Sequence, residues 1–265
     1  MIPKIIHYVW VGNAVKDELV ESCIASWKKY LPDYQIIEWN NEKVKDIDNR
    51  YMQEAFKAEK WAFVSDYVRL YALNKFGGFY FDTDLEIKRN LDEFLKLDFC
   101  TCYEKLGNKS NPVMTAFLAA EKGNSIIKDL MIEYDGRTFI TAKGYDLTTN
   151  VHHVKKYFEK THSLYAPYNI HEKKEIRKGE IIFPYFYFCI DEGENTYAVH
   201  KLSGSWLNGY EKRLKLRLGR YFLVVYKRQK NNSTNEIELK GKEKIIAKIK
   251  ITKRKYLAIV SDLEY

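Results

Sequence analysis

The chain has 265 residues, of which 46% are hydrophobic and 15% aromatic, and this composition is typical of a packed globular protein rather than a disordered one. Its formal net charge is +8, and the basic residues are concentrated near the end, since residues 211–255 hold 16 Lys/Arg against 4 Asp/Glu. No apolar run has transmembrane length, no signal peptide precedes the first apolar segment, and the four cysteines lack zinc spacing, so we expect a protein with reduced cysteines and no membrane span.

Strands and helices are predicted to alternate over the first 81 residues. The predicted strands are 5–10, 34–39 and 79–81, and the predicted helices are 17–30 and most of 52–76. This order predicts a parallel, Rossmann-like sheet, in which ligands bind at the carboxyl ends of the strands. Trp10, Asn40 and Asp82 each stand at such an end, so we expect them to meet in one crevice.

Two carboxylates, Asp82 and Asp84, follow the third strand. If the strand continues, side chains two residues apart point to the same side, and like charges on one face need a cation or hydrogen bonds to offset their repulsion. Mg²⁺ and Mn²⁺ are hard cations that suit carboxylates and substrate phosphates. The alternative for an isolated Asp-x-Asp pair is a solvated turn.

A second charged pair, Asp66 and Arg69, lies on the preceding helix, where residues three apart share a face. The pair flanks apolar positions in a helix that we predict to be largely buried. An intrahelical ion pair without further function is the alternative interpretation, and it would contribute only a few tenths of a kcal/mol if exposed.

Later segments are less regular. The predicted elements are a strand at 98–104, helices beginning after Asn124 and Thr149, an edge strand or ordered loop at 181–189, and a short strand at 197–200. His152 and His153 do not suit joint metal chelation, because adjacent residues on a helix diverge by about 100°.

The basic end of the chain is predicted to be an amphipathic helical extension, because Leu, Ile and Val are mixed with Lys and Arg. Such segments favour anionic membrane surfaces. Nucleic-acid binding and a solvated basic face of a packed helix are the alternatives. We therefore predict a domain at 1–210 and an extension at 211–265.

Short motifs occur in order along most of residues 1–210. They are 2–10 (IPKIIHYVW), 26–27 (SW), 34–40, 62–69, 77–84 (GGFYFDTD), His200 and 205–206 (SW). Together they resemble the DxD-containing sugar transferases of glycosyltransferase family 32. The resemblance implies a GT-A-type α/β fold with a mixed, mostly parallel sheet flanked by helices. It also implies a retaining hexosyltransferase that uses Mn²⁺ or Mg²⁺.

The resemblance implies roles for side chains on the donor side. Val9 and Trp10 would frame the nucleotide base, and Asn40 would contact the ribose. Asp66 and Arg69 would hold the donor sugar as catalytic residues.

Further roles concern the sugar, the metal and the diphosphate. Tyr80 would touch the sugar or shape its pocket. Asp82 would contact the donor and, through water, the metal, while Asp84 would be the direct metal ligand and His200 the third metal-side residue. The indole N–H of Trp206 would donate to the β-phosphate, with Ser205 beside it.

For partners, we expect a nucleotide-sugar donor, with UDP-sugars favoured over GDP-mannose, and a saccharide or lipid-linked oligosaccharide acceptor in surface polysaccharide synthesis. We expect the protein in the cytoplasm, peripheral on the inner face of the cell membrane, and we expect no nucleic acid. The alternative is a non-catalytic protein that binds membrane or nucleic acid through its basic extension. A metal-dependent phosphoesterase would need more metal ligands than the sequence offers.

Overall fold

The structure, a computed structural model, describes residues 1–142, 144–202, 210–218, 221–228, 243–250 and 255–262. The helices are α1 Glu18–Tyr30, α2 Asn41–Val44, α3 Arg50–Lys57, α4 Trp61–Phe76, α5 Ser125–Ile132 and α6 Asn150–His162. The strands are β1 Ile5–Val9, β2 Gln35–Trp39, β3 Gly78–Phe81, β4 Leu85–Ile87, β5 Phe99–Cys102, β6 Glu104–Leu106, β7 Lys109–Asn111, β8 Phe117–Ala120, β9 Ile140–Thr141, β10 Gly144–Tyr145, β11 Lys174–Arg177, β12 Glu180–Phe183, β13 Ala198–His200, β14 Tyr210–Leu218, β15 Tyr221–Arg228, β16 Glu243–Lys250 and β17 Lys255–Asp262. They form two compact units, Met1–Ser203 and Gly204–Tyr265.

The first unit is built on a seven-stranded sheet in the order β11-β12-β5-β8-β3-β1-β2. β1 pairs in parallel with both β2 and β3, and β12 pairs in parallel with β5, whereas β8 and β11 run antiparallel to their neighbours. The predicted mixed, mostly parallel α/β sheet is therefore confirmed. Its interior strand β3 is buried along its whole length, as a strand covered on both faces should be.

The prediction that most of 52–76 is helical is confirmed, and the segment forms two helices, α3 and α4. The chain turns between Lys57 and Trp61, where Glu59 adopts a positive φ of 55°. Each helix buries apolar residues, among them Met52 on α3 and Val68 on α4. Helix propensity alone cannot show such a break, because tertiary burial overrides it.

Residues 181–189 are predicted as an edge strand or ordered loop, but they form an interior strand followed by a turn. β12 lies inside the sheet between β5 and β11. The strand ends before Pro184, whose missing N–H would interrupt the ladder, and a short 3₁₀ turn follows at Tyr185–Tyr187.

Two glycines make the turn from α4 into β3. Gly77 ends the helix with φ 68°, and Gly78 begins the strand with φ 104°. A Cβ on Gly78 would lie 2.5 Å from the carbonyl oxygen of Ile5 on the neighbouring strand. Glycine is therefore required here by both backbone conformation and space.

Gly78→Ala is expected to lower the free energy of unfolding by about 2–3 kcal/mol, because it combines backbone strain with a clash against β1. Gly136→Ala is the matched control, since Gly136 also has a positive φ of 75° but no atom within 4 Å of its Cβ position. Urea denaturation of both variants measures the difference. Equal losses would show that the close approach of β1 and β3 is unimportant.

The second unit contains four antiparallel strands in the order β14-β15-β17-β16. The predicted helical extension is therefore wrong. In 214–218 the leucines alternate with Lys215 and Arg217, and this period of two is that of a strand rather than a helix. Within the described part of the chain, no helix is long and apolar enough to cross a membrane.

Candidate functional site

Predicted site residues converge beyond the carboxyl end of β3. They are Asp66, Arg69, Tyr80, Asp82, Asp84 and His200. The residues come from α4, from β3 and the turn after it, and from β13. Contacts shorter than 3.5 Å connect Asp66 to Arg69, Arg69 to Asp82, Asp82 to Tyr80, and Asp84 to His200.

A turn, not a continued strand, brings Asp82 and Asp84 to the same place. β3 ends at Phe81, and the backbone N–H of Leu85 donates to the carbonyl of Asp82 at 3.0 Å. β4 then pairs with β13 in a register that sets His200 opposite Leu85. The prediction that strand alternation aligns the two carboxylates is therefore wrong, although the carboxylates do lie together.

The three predicted metal-side residues form a compact group of possible metal ligands. One ligand atom each from Asp82, Asp84 and His200 can be chosen so that all lie within 4.8 Å of one another. The Nε2 atom of His200 is 3.2 Å from Oδ1 of Asp84, while its buried Nδ1 has no hydrogen-bond partner among the described residues. Two carboxylates and an imidazole suit Mn²⁺ or Mg²⁺, so these residues fit a divalent cation.

Glu104 is a further carboxylate at this site and was not among the predicted site residues. The residue is only 6% exposed and accepts a hydrogen bond from Asn111 at 2.5 Å across the β6–β7 hairpin. Burial raises the pKa of Glu104 above its ordinary value. Because β5 runs parallel to β3, a residue just beyond β5 lies at the same edge of the sheet as Asp82. The strand-end rule applied to Asp82 could therefore have found Glu104.

Three nearby carboxylates affect the pKa of His200. Burial opposes the charged imidazole, but the carboxylate of Asp84, with those of Asp82 and Glu104, outweighs it and raises the pKa of His200. The surroundings of His200 thus favour positive charge at this point. A divalent cation would satisfy the same carboxylates.

The pair on α4 is buried and has a third partner. Arg69 is 4% exposed, and its Nη2 lies 3.0 Å from Oδ1 of Asp66. Its Nη1 lies 3.4 Å from Oδ1 of Asp82 and donates to the carbonyl of Thr115 at 2.7 Å. Its Cζ is 4.7 Å from the ring centroid of Tyr80. Arg69 therefore joins α4 to the Asp82 turn, which a simple intrahelical ion pair would not do.

Asp66 and Tyr80 complete this buried part of the site. Burial raises the pKa of Asp66 to about 6, against the opposing effect of Arg69. The hydroxyl of Tyr80 donates to Oδ1 of Asp82 at 2.8 Å. Asp82 therefore accepts a hydrogen bond from Tyr80 and forms an ion pair with Arg69, and both contacts restrain its side chain.

The predicted nucleotide-side residues lie at the ends of β1 and β2. Val9 is buried, and the indole N–H of Trp10 donates to the carbonyl of Ala14 at 3.0 Å. Oδ1 of Asn40 accepts from the N–H of Lys43 at 3.2 Å and caps α2.

Trp10 and Asn40 share a groove of about 580 Å³. Its other lining residues are Gly12, Asn13, Ala14, Val15, Lys16, Glu21, Glu38, Asn41 and Glu42. The metal-side residues do not line it, so the described site residues form two groups. Ser205 and Trp206 lie outside the described residues, and their roles stay predictions.

The family profile described as "Glycosyltransferase sugar-binding region containing DXD motif" matches residues 17–100. This stretch includes Asn40, Asp66, Arg69, Asp82 and Asp84. The match confirms the resemblance predicted from the ordered motifs.

Two curated proteins are similar to this chain. "Inositol phosphoceramide mannosyltransferase 3" of Schizosaccharomyces pombe is 31% identical over 105 residues, which are 36% of this chain and 27% of that protein. "Uncharacterized glycosyltransferase L373" of Acanthamoeba polyphaga mimivirus is 28% identical over 118 residues, which are 41% of this chain and 45% of that protein. The chain therefore matches less than half the length of either relative.

Solved structures include a similar chain described as "PaToxG Glycosyltransferase". It is 19% identical, covers 60% of this chain and 69% of its own, and superposes with a TM-score of 0.43.

Proposed function

We propose that this chain, which belongs to the DXD-containing glycosyltransferases that resemble family 32, transfers a hexose from a nucleoside diphosphate sugar to a saccharide acceptor. The main support for this proposal is the group of possible metal ligands formed by Asp82, Asp84 and His200. Through Asp82, this group contacts the buried pair of Arg69 and Asp66. A cation-binding group and a sugar-binding group next to each other are what a donor of this kind requires.

Each side chain has a chemical task in this proposal. A divalent cation held by Asp84, His200 and Asp82 would neutralise the charge that develops on the departing diphosphate. Arg69 offers a planar set of donors to a phosphate oxygen. Asp66, held by its ion pair with Arg69, would accept hydrogen bonds from sugar hydroxyls.

Asp66 would also provide selectivity among hexoses. An epimer that lacks the correctly placed hydroxyl leaves a buried carboxylate without its partner, and unpaired buried polar groups are costly. The burial of Asp66, which is 8% exposed, makes this penalty larger than it would be at the surface.

The transfer is proposed to retain the anomeric configuration through front-face attack, with the leaving phosphate oxygen as the base. Asp66 and Asp82 both contact Arg69, and this ion pairing weakens either carboxylate as a nucleophile. Trapping a covalent glycosyl-enzyme on one of these carboxylates would contradict this mechanism.

The donor is proposed to be a UDP-sugar, with its base in the groove beside Trp10. GDP-mannose is the second donor to test, because one relative carries a mannosyltransferase name. The acceptor is proposed to be a saccharide or lipid-linked oligosaccharide of surface polysaccharide synthesis. The proposal includes a cytoplasmic location, with the basic residues of 211–255 attracting an anionic membrane surface.

A thermal-shift screen tests this function. UDP, GDP, UDP-glucose and GDP-mannose are added with and without Mn²⁺, and Mn²⁺ alone is the control. One nucleotide series is expected to raise Tm by several degrees only with Mn²⁺, since ligand at about 100-fold its Kd stabilises by about 2.7 kcal/mol. EDTA should remove the shift. A protein that shows no Mn²⁺-dependent shift with either series would instead favour the non-catalytic binding alternative.

A further inference from the structure

We infer that Arg137 is a positioning residue for the donor sugar, which it serves by fixing the surroundings of Asp66. The inference rests on the proposed function, in which Asp66 binds the sugar. Arg137 lies in the segment between α5 and β9, outside the residues that the family profile matches.

The guanidinium of Arg137 connects three separate parts of the chain. Its Cζ lies 4.6 Å from the ring centroid of Tyr51 on α3 and 4.7 Å from that of Tyr134 after α5. The two rings contact each other edge to face at 5.1 Å. Its Nη2 donates to Oδ2 of Asp146 at 2.8 Å, directly after β10. One cation therefore holds α3, the end of α5 and the β9–β10 hairpin together.

Asp66 lies close to this assembly. Tyr134, whose ring lies against Arg137, contacts the ring of Tyr67 at 5.6 Å, and Tyr67 is the next residue to Asp66 on α4. Oδ1 of Asp146 accepts from the N–H of Thr148 at 3.1 Å, so the ion pair with Arg137 also holds the segment that leads into α6. Replacing Arg137 would thus loosen the packing beside Asp66.

A structural role alone does not account for an arginine here. Its side chain is 19% exposed, and its buried Nη1 has no hydrogen-bond partner among the described residues. Removing a guanidinium from water is costly, and an apolar side chain between two tyrosine rings would avoid that cost. What an apolar side chain cannot provide is an ion-pair partner for Asp146 that also lies against both tyrosine rings.

The test separates binding of the sugar from binding of the nucleotide. Titration calorimetry with Mn²⁺ compares the Kd of UDP with that of UDP-glucose, and the Kd of GDP with that of GDP-mannose. The proteins are wild type, Arg137→Met and Arg137→Lys. Arg50→Gln is the matched control, because Arg50 is on α3 beside Tyr51 but its side chain is 73% exposed and pairs with Glu54.

Arg137→Met is expected to keep the wild-type Kd for UDP or GDP and to weaken binding of the matching nucleotide sugar about tenfold. Arg137→Lys should recover part of that loss through its charge, and Arg50→Gln should match wild type. If Arg137→Met does not fold, Asp146→Asn removes only the negative charge that pairs with Arg137. This variant should show the same selective loss of nucleotide-sugar binding.

Two results would overturn the inference. One is an Arg137→Met or Asp146→Asn protein that binds nucleotide sugar as wild type does. The other is an equal loss for the nucleotide and its sugar, which would indicate a general structural role. A wild-type protein that binds neither nucleotide series would overturn the proposed function itself, and the inference with it.

Discussion

Asp84→Ala is expected to lower kcat/KM for nucleotide-sugar turnover on the order of 1,000-fold, because it removes a carboxylate that the proposed cation needs. That factor corresponds to about 4 kcal/mol of transition-state stabilisation. Mn²⁺-dependent nucleotide binding should be lost together with turnover. The fold should persist, because the backbone hydrogen bond from the N–H of Lys201 to the carbonyl of Asp84 does not depend on the Asp84 side chain.

Glu86→Ala is the matched control for Asp84→Ala. Glu86 is an acidic residue two positions further along, and its carboxylate pairs with Lys201 instead of His200. This variant should turn over nucleotide sugar at nearly the wild-type rate. Comparable losses in the two variants, or Mn²⁺-dependent binding retained by Asp84→Ala, would exclude the metal role of Asp84.

Arg69→Met is expected to lower the free energy of unfolding by about 3–5 kcal/mol and to abolish turnover. The change leaves two carboxylates, those of Asp66 and Asp82, without the buried cation that both contact. It also removes the donor to the carbonyl of Thr115. Urea denaturation at pH 7 measures the loss of stability.

A double-mutant cycle distinguishes this explanation from a simple loss of side-chain volume. Asp66→Asn removes one of the two carboxylates that Arg69→Met leaves unpaired. The double variant should therefore lose less stability than the summed losses of the two single variants. We expect a coupling of at least about 1 kcal/mol, as is usual for residues in one network. Strict additivity would show that Asp66 and Arg69 do not stabilise each other.

Much of the fold could be predicted because the first 81 residues carry clear apolar periodicity. β1, α1, β2 and β3 lie within a residue or so of their predicted bounds. The pair of Asp66 and Arg69 was predictable for the same reason, since a helix fixes which residues share a face. The grouping of Asp82, Asp84 and His200 came from the ordered motifs.

The remaining features depend on contacts between distant segments. Arg137 resembles an ordinary surface residue in the sequence, because its partners Tyr51 and Asp146 come from other elements of the fold. The turn after β3 could not be predicted from the neighbouring sequence, because the pairing of β4 with β13 determines where Asp84 lies.

The basic extension shows how a regular pattern can be misread. Its mixture of apolar and basic residues suggested an amphipathic helix, yet four antiparallel strands are formed. The alternation in 214–218 was visible in the sequence, but other stretches of the extension are less regular. Composition alone does not distinguish a helix from a strand, whereas the period of the apolar residues does.

The most direct test of the central claim is nucleotide release by the wild-type protein, followed by NMR with UDP-glucose and GDP-mannose as donors. With Mn²⁺, one donor is expected to be cleaved to its nucleoside diphosphate and hexose, with the released sugar first seen in the donor's anomeric configuration. EDTA should stop the reaction and added Mn²⁺ should restore it. Cleavage that continues unchanged in EDTA, or no cleavage of either donor with Mn²⁺, would contradict a metal-dependent sugar transferase.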